Sequence, residues 1–319
     1  MSFSNTVLIT GGTAGLGFQT ALIIAREHPE YLVVLASRTD PGSAAESINN
    51  TLSQKNVTFL PLDLSSLTNV RTFGQAWKAK NFPPIIVLLL NAGTQFPRDL
   101  RQTGDGIEST FAINHVGHAL LLHLIYPNFA SRARIVVTSS GAHDPAQKTG
   151  LPDAKYTTAQ ELAHPSPETA QNSGLQRYTT SKLVNIMWTY ALHRRFTKLT
   201  EKKLTVTAFD PGLMPGTGIA RENGRVFRML WVHLLPRIIP VLRLVSRNIH
   251  SPQESATNLA WLAVSDDVEG VSGIYYEGNN EIKSSEESYD KAKQEDLWQW
   301  TVKNIATEES EIEKFEIAN

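Results

Sequence analysis

The chain has 319 residues, 41% apolar and 19% charged, which is ordinary for a soluble globular protein and room for one large α/β domain or two small ones. Thirty Lys and Arg against 31 Asp and Glu leave a formal charge of −1, so no basic field points to a nucleic-acid partner. Cysteine is absent, which excludes disulfides, thiol nucleophiles and cysteine-bound zinc. The N-terminal MSFSNTVLIT enters an apolar run without a charged leader and a long apolar core. No signal peptide is read, and a cytoplasmic, reduced setting is expected.

In chain order, strands and helices are predicted alternately for most of the length. A strand at 6–10 is followed by a helix near 15–27, a strand at 31–37 and a helix near 43–54. Then come a strand at 56–62, a helix near 66–79, a strand at 85–91 and a helix near 106–129. The series continues with strand 133–140, helix 175–198 and strands 204–210 and 272–277. Near-continuous apolar strands alternating with helices predict a doubly wound parallel sheet covered on both faces. No linker divides the run, so residues 1–319 are read as one domain.

Three segments depart from this rhythm. Residues 141–177 are polar and proline-rich, a long insertion expected to be functional or mobile. Residues 214–250 are apolar and studded with arginine, and they are read as a substrate lid. The acidic stretch 304–319 is expected to be a solvated tail or a frayed helix. The stretch 226–245 is long enough to span a bilayer, but Arg228, Arg237 and Arg243 and the prolines 236 and 240 argue that it does not. With six arginines (221, 225, 228, 237, 243, 247) against Glu222, the segment 221–250 is also a candidate for peripheral membrane contact.

The sequence LITGGTAGLG places Gly11, Gly15 and Gly17 after the first strand and at the opening of a helix. A strand, a glycine turn and a helix N-terminus let backbone N–H groups approach a pyrophosphate. At the end of the second strand, Ser37 and Arg38 stand where an acid would accept hydrogen bonds from a ribose 2′-OH. A guanidinium there would grip a 2′-phosphate instead, so NADP(H) is the expected cofactor. Ser140 ends the strand RIVVTSS, at the sheet edge that faces ligands, with no nucleophile elbow around it. His115, His118, His123 and His143 lack metal-ligand spacing, so no metal is expected and they are taken as structural or surface groups.

A tyrosine four places ahead of a lysine occurs twice, as Tyr178/Lys182 and Tyr289/Lys293. On one helix such a pair shares a face, and the cation would lower the phenol's pKa from ~10. The pattern alone does not choose between them.

In order, the chain carries TGGTAGLG, DL at Asp63–Leu64, NAG at Asn91–Gly93, INHVGH with Asn114, TSS with Ser140, YTTSK with Tyr178 and Lys182, and DPG at Asp210–Gly212. This set, from Thr6 to about Tyr276, resembles the short-chain dehydrogenases/reductases. The finer match, with SKLVN after the tyrosine and the long insertion before it, resembles the retinol-dehydrogenase and protochlorophyllide-reductase-like branch. Ser140 argues against light-driven protochlorophyllide reduction, since that enzyme usually lacks this serine.

The resemblance implies a single Rossmann-type α/β domain and chooses the first tyrosine–lysine pair. It implies Tyr178 as acid/base, Ser140 polarising a carbonyl, Lys182 lowering the tyrosine pKa and binding the nicotinamide ribose, and Asn114 holding a water that links Lys182 to solvent. It implies cofactor contacts at Gly11, Gly15, Leu16, Gly17, Ser37, Arg38, Asp63, Leu64, Asn91, Ala92, Gly93, Tyr178, Lys182, Pro211 and Gly212. Thr217 is expected there too, although PGLMPGT places it one residue later than the usual P-G-x-x-x-T. The expected activity is NADP(H)-dependent hydride transfer to a ketone, or from a secondary alcohol, of a bulky apolar substrate: a lipid, a terpenoid or a polyketide-derived metabolite. The insertion is expected to cover the helices that often form the family's dimer face, leaving a monomer. The alternatives are a catalytically silent NADP(H)-binding regulator and a nucleotide-sugar epimerase or dehydratase. The Asn114, Ser140, Tyr178 and Lys182 set argues against the first. The missing G-x-x-G-x-x-G spacing and sugar-nucleotide domain argue against the second.

Overall fold

The predicted strands at 31–37 and 85–91 are apolar at nearly every position, and the computed structural model buries both faces of the central strands. It describes residues 3–316 apart from Asn223, Val245 and Arg247, without the side chains of Ala220 and Arg221. The order is β1 (Asn5–Thr10), α1 (Gly15–Glu27), β2 (Tyr31–Ser37), α2 (Ala44–Leu52), β3 (Val57–Pro61), α3 (Leu67–Lys80) and β4 (Ile85–Leu90). Next come α4 (Ser109–Phe111), α5 (Gly117–Ile125), β5 (Phe129–Thr138), α6 (Ala159–Ala163), α7 (Gly174–Phe196) and β6 (Lys203–Asp210). The chain closes with α8 (Arg225–Met229), α9 (Ile239–Leu242), α10 (Pro252–Val264), β7 (Ile274–Glu277), β8 (Asn280–Ile282), α11 (Lys291–Ile305) and α12 (Glu309–Phe315).

One sheet has the order β3-β2-β1-β4-β5-β6-β7-β8. All neighbours are parallel except β8, which returns antiparallel to β7. Successive side chains alternate between faces. Leu8, Val34 and Leu88 pack with Phe73, Trp77 and Trp188 on one side, while Val7, Ile9 and Val33 pack with Ile24 and Leu259 on the other. The chain winds outwards in opposite directions from β1 and β4. The crevice at the carboxyl ends of these two strands is where doubly wound sheets bind ligands.

Two expectations are corrected. The acidic end is not a solvated tail: residues up to Phe315 form the end of α11 and then α12. Phe315 is 5% exposed and its ring stacks on His123 at 4.5 Å. Arg71 holds Glu311 through two hydrogen bonds of 2.8 Å. Composition misled because Ile312 and Phe315, three apart on one helical face, outweigh the surrounding acids once a core is there to receive them. Residues 317–319 of that stretch lie outside the described residues. The insertion 141–177 is folded against α11. Tyr156 Oη donates to Asp296 Oδ2 at 2.6 Å, the Ala159 N–H donates to the same oxygen at 2.8 Å, and Trp300 Nε1 donates to Gln160 Oε1 at 2.7 Å. Among the described residues no helix is long and apolar enough to cross a membrane.

Candidate active site

The glycine turn follows directly from β1. Gly11 takes φ +67°, and a Cβ there would stand 3.0 Å from Ala92 Cα. A Cβ on Gly17 would stand 2.4 Å from the Gly11 carbonyl oxygen, so only glycine lets α1 start this close to the turn. The residue before α1, Ala14, offers no side-chain cap, and the first turn contains no acid. The first N–H groups of α1 are therefore left for an anion. They open onto a cleft of about 1260 Å³. All but two of the residues predicted for cofactor or chemistry line its wall, including Gly11, Gly15, Leu16, Ser37, Arg38, Asp63 and Leu64. The exceptions are Gly17, packed beneath the turn, and Asn114, behind Gly93.

Around that wall, Arg38 is exposed at the end of β2. Asp63 Oδ1 accepts from Ser65 N at 3.0 Å and Ser65 Oγ at 2.7 Å, which orients its carboxylate. Asn91 spends its amide on β1, with Nδ2 donating to the Thr10 carbonyl at 2.9 Å. Thr10 Oγ1 accepts the N–H groups of Asn91 and Ala92 at 2.9 and 3.0 Å. Its hydroxyl lies 3.2 Å from the Leu89 carbonyl and 2.9 Å from His118 Nε2, and the His118 Nδ1–H donates to the Asn114 carbonyl at 3.2 Å. This histidine is neutral, held down to about 4 chiefly by burial. His115 and His123 are held to about 3 for the same reason, which fits structural groups. Pro211 and Gly212 complete the rim with Thr217, whose Oγ1 donates to the Met214 carbonyl at 2.9 Å.

Asn114 lies in a π-helical turn (Ala112–Val116) between α4 and α5. Its Oδ1 accepts from Thr94 N at 2.8 Å, while Nδ2 donates to the Thr94 carbonyl at 3.0 Å and to Ser181 Oγ at 2.9 Å. The side chain clamps the loop after β4 to α7, so any water it holds must share these engaged atoms or its carbonyl. Tyr178 and Lys182 share one face of α7, with Nζ 5.6 Å from the phenol ring centroid. Lys182 is 4% exposed and donates to the Thr138 carbonyl at 3.2 Å. Ser140, after β5, accepts the Ala142 N–H at 3.2 Å and lines the same cleft as Tyr178.

The electrostatics differ from the expectation. Burial, and then the charge of Asp210, push the Tyr178 phenol above its ordinary range, with Ser140 pulling it partly back. Lys182 does not lower it. Burial brings the lysine itself down to about 8, with Asp210 opposing. Asp210 is 1% exposed and was not singled out by sequence as a charged group in the site. Its Oδ1 accepts the Gly212 N–H at 2.9 Å, and its Oδ2 accepts Asn248 Nδ2 at 2.8 Å. The same Asn248 nitrogen reaches Glu277 Oε2 at 3.0 Å. Sequence also missed Phe227 and Trp231 at the cleft, whose only signal was the apolar lid.

The second tyrosine–lysine pair comes apart. Tyr289 ends a 3-10 turn, and Asp290 then caps α11 by accepting from the N–H groups of Ala292 and Lys293. The two residues are therefore not on one helix, and Lys293 pairs with Glu287.

A short chain dehydrogenase model matches residues 5–158, and an AcuH dehydrogenase domain model matches residues 223–312. The chain is 30% identical to Short-chain dehydrogenase TIC 32 B, chloroplastic, of Brassica napus, covering 94% of this chain and 88% of that protein. It belongs to the short-chain dehydrogenases. It is also 31% identical to the WW domain-containing oxidoreductase of Danio rerio over 92% of its own length, and it spans 66% of that relative. The short-chain dehydrogenase fold recurs in a solved NADPH-bound carbonyl reductase from chicken fatty liver. The TM-score is 0.59 at 18% identity, covering 89% of this chain and 100% of that one. Proteins of this family bind a nicotinamide dinucleotide. The uncapped start of α1, the tight packing at Gly11 and Gly17, and a lysine beside Gly93 fit such a group, since a Cβ on Gly93 would lie 3.5 Å from Lys182 Nζ.

Proposed function

We propose that this chain is an NADP(H)-dependent oxidoreductase acting on a ketone or secondary alcohol of a bulky apolar compound. The observation that carries the reading is Tyr178, held neutral by burial, with Ser140 lining the same cleft and Lys182 on the same helix face, in the cleft that begins at the glycine turn. A bound nicotinamide supplies or accepts the hydride. Tyr178 Oη donates a proton to the carbonyl oxygen in reduction and takes it back in oxidation. Ser140 Oγ donates to the same oxygen and orients it. Lys182, fixed by the Thr138 carbonyl, stands behind the phenol and binds the cofactor's ribose. Arg38 grips the 2′-phosphate.

The apolar substrate is supported by the far wall of the cleft, where Phe96, Leu151, Leu175, Ile219, Phe227 and Trp231 gather. Residues 214–250 serve as its lid, braced within itself where Trp231 Nε1 donates to the Thr217 carbonyl at 3.0 Å. A monomer is supported by α11, which lies on α7 and α6 with Leu297, Trp298 and Val302 buried, so this chain covers its own helix face. The test is a panel of ketones with NADPH, and of alcohols with NADP⁺, followed by nicotinamide absorbance. Turnover of an apolar ketone that Tyr178→Phe abolishes is expected. A panel without turnover despite tight NADPH binding would leave a silent binding protein instead.

A further inference from the structure

Buried positions in the lid are few. From Arg225 to Leu242 the chain runs through α8, a π-helical turn (Leu230–Leu234), a 3-10 turn (Leu235–Ile238) and α9. Only Trp231 and Ile239 in this run are buried. Nine of the eleven exposed large hydrophobic residues among those described lie between Leu213 and Leu244, with Val226 at 70%, Val241 at 60% and Leu244 at 86%. Scattered single apolar side chains need no explanation, whereas a concentration of this kind marks a surface that meets something.

Its charge says what. The sequence has no acid between Glu222 and Glu254 but five arginines, in a chain whose formal charge is −1. Arg225, Arg228 and Arg237 are exposed, and none pairs with a carboxylate among the described residues. Glu222, the nearest acid, is taken by Arg101 at 3.1 Å. Arginines interleaved with exposed aliphatic side chains on short helices suit the boundary of an anionic bilayer. There the apolar groups enter the acyl region and the guanidinium groups stay with the headgroups. The prolines at 236 and 240 and the arginines keep the segment from crossing.

We propose that residues 224–244 form a docking face for an anionic phospholipid surface. The inner side of the same segment, Phe227 and Trp231, lines the cleft, so the lid stands between membrane and active site. This rests on the apolar-substrate reading only for its purpose, since vesicle binding needs no substrate.

The test is co-sedimentation of the full chain with phosphatidylcholine vesicles and with vesicles that also contain phosphatidylserine. The parent is expected to sediment with the anionic vesicles and far less with the neutral ones. A variant with Val226, Met229, Val241 and Leu244 all changed to Ser should lose both. Arg225→Gln with Arg228→Gln should weaken anionic binding by roughly thirtyfold, as two surface cations imply. None of these residues lines the cleft, so NADPH titration should be unchanged and reports folding. If the serine variant fails to bind NADPH, the arginine pair, which removes no apolar contact, decides. A parent that stays in solution with anionic vesicles overturns the proposal, as does equal binding by an arginine pair that is folded. A stable dimer that the serine variant dissolves would assign the face to a second copy and also overturn it. Turnover of apolar ketones without vesicle binding would overturn this inference and leave the function standing.

Discussion

Lys182 is a buried cation that lowers the stability of its own fold, and replacing it should reveal by how much. Its ammonium is brought from 10.5 to about 8, chiefly by burial. That difference of about 2.5 pH units is ~3 kcal/mol at ~1.4 kcal/mol per unit. Lys182→Met keeps the length and apolar stem, removes the charge, and forfeits one hydrogen bond of ~1 kcal/mol. The Thr138 carbonyl keeps a donor in Asn185 Nδ2 at 3.0 Å. The variant without cofactor should therefore be about 2 kcal/mol more stable at pH 7 while losing turnover and cofactor affinity. The sign follows from proton uptake. Between pH 8 and 10.5 the unfolded lysine binds a proton that the folded one has lost, so the parent's stability rises with pH in that window. The variant lacks this slope, and its advantage should vanish by pH 10, where tyrosine ionisation acts on parent and variant alike. Urea unfolding at pH 7 and pH 10 measures both quantities. A variant less stable than the parent at pH 7, or an advantage unchanged at pH 10, refutes the reasoning.

Tyr178→Phe should lower kcat by ~10²–10⁴ with NADPH affinity nearly intact. Tyr289→Phe should change turnover little, and steady-state kinetics with one ketone compares the two. Arg38→Ala should weaken NADPH binding by ~1.5–3 kcal/mol and leave NADH binding alone. Fluorescence titration of both cofactors checks this, and equal losses would count against the 2′-phosphate contact. Asp210→Asn keeps an acceptor for the Gly212 N–H but removes the charge that raises the Tyr178 phenol. The rising limb of the oxidation rate against pH should move to lower pH, and a profile that stays in place would show that Asp210 does not act on the tyrosine.

The sheet was legible in the sequence because a strand buried on both faces must be apolar at nearly every position, and β2 and β4 are. The turn from Gly11 to Gly17 was legible because a side chain on Gly17 would put its Cβ 2.4 Å from the Gly11 carbonyl oxygen, so no other residue fits. Tyr178 and Lys182 could be named as a pair from helical spacing, but Tyr289 and Lys293 had the same spacing. Only the fold shows Asp290 ending one element and starting the next between them. The π-helical turn at Asn114, the return strand β8 and the ordered C-terminus depended on neighbours far along the chain. So did the main electrostatic fact of the site. The phenol's pKa is set less by the lysine four residues away than by burial and by Asp210, thirty-two residues away, because local spacing determines which groups can share a helix face, whereas burial and charge are properties of everything the tertiary structure packs around them.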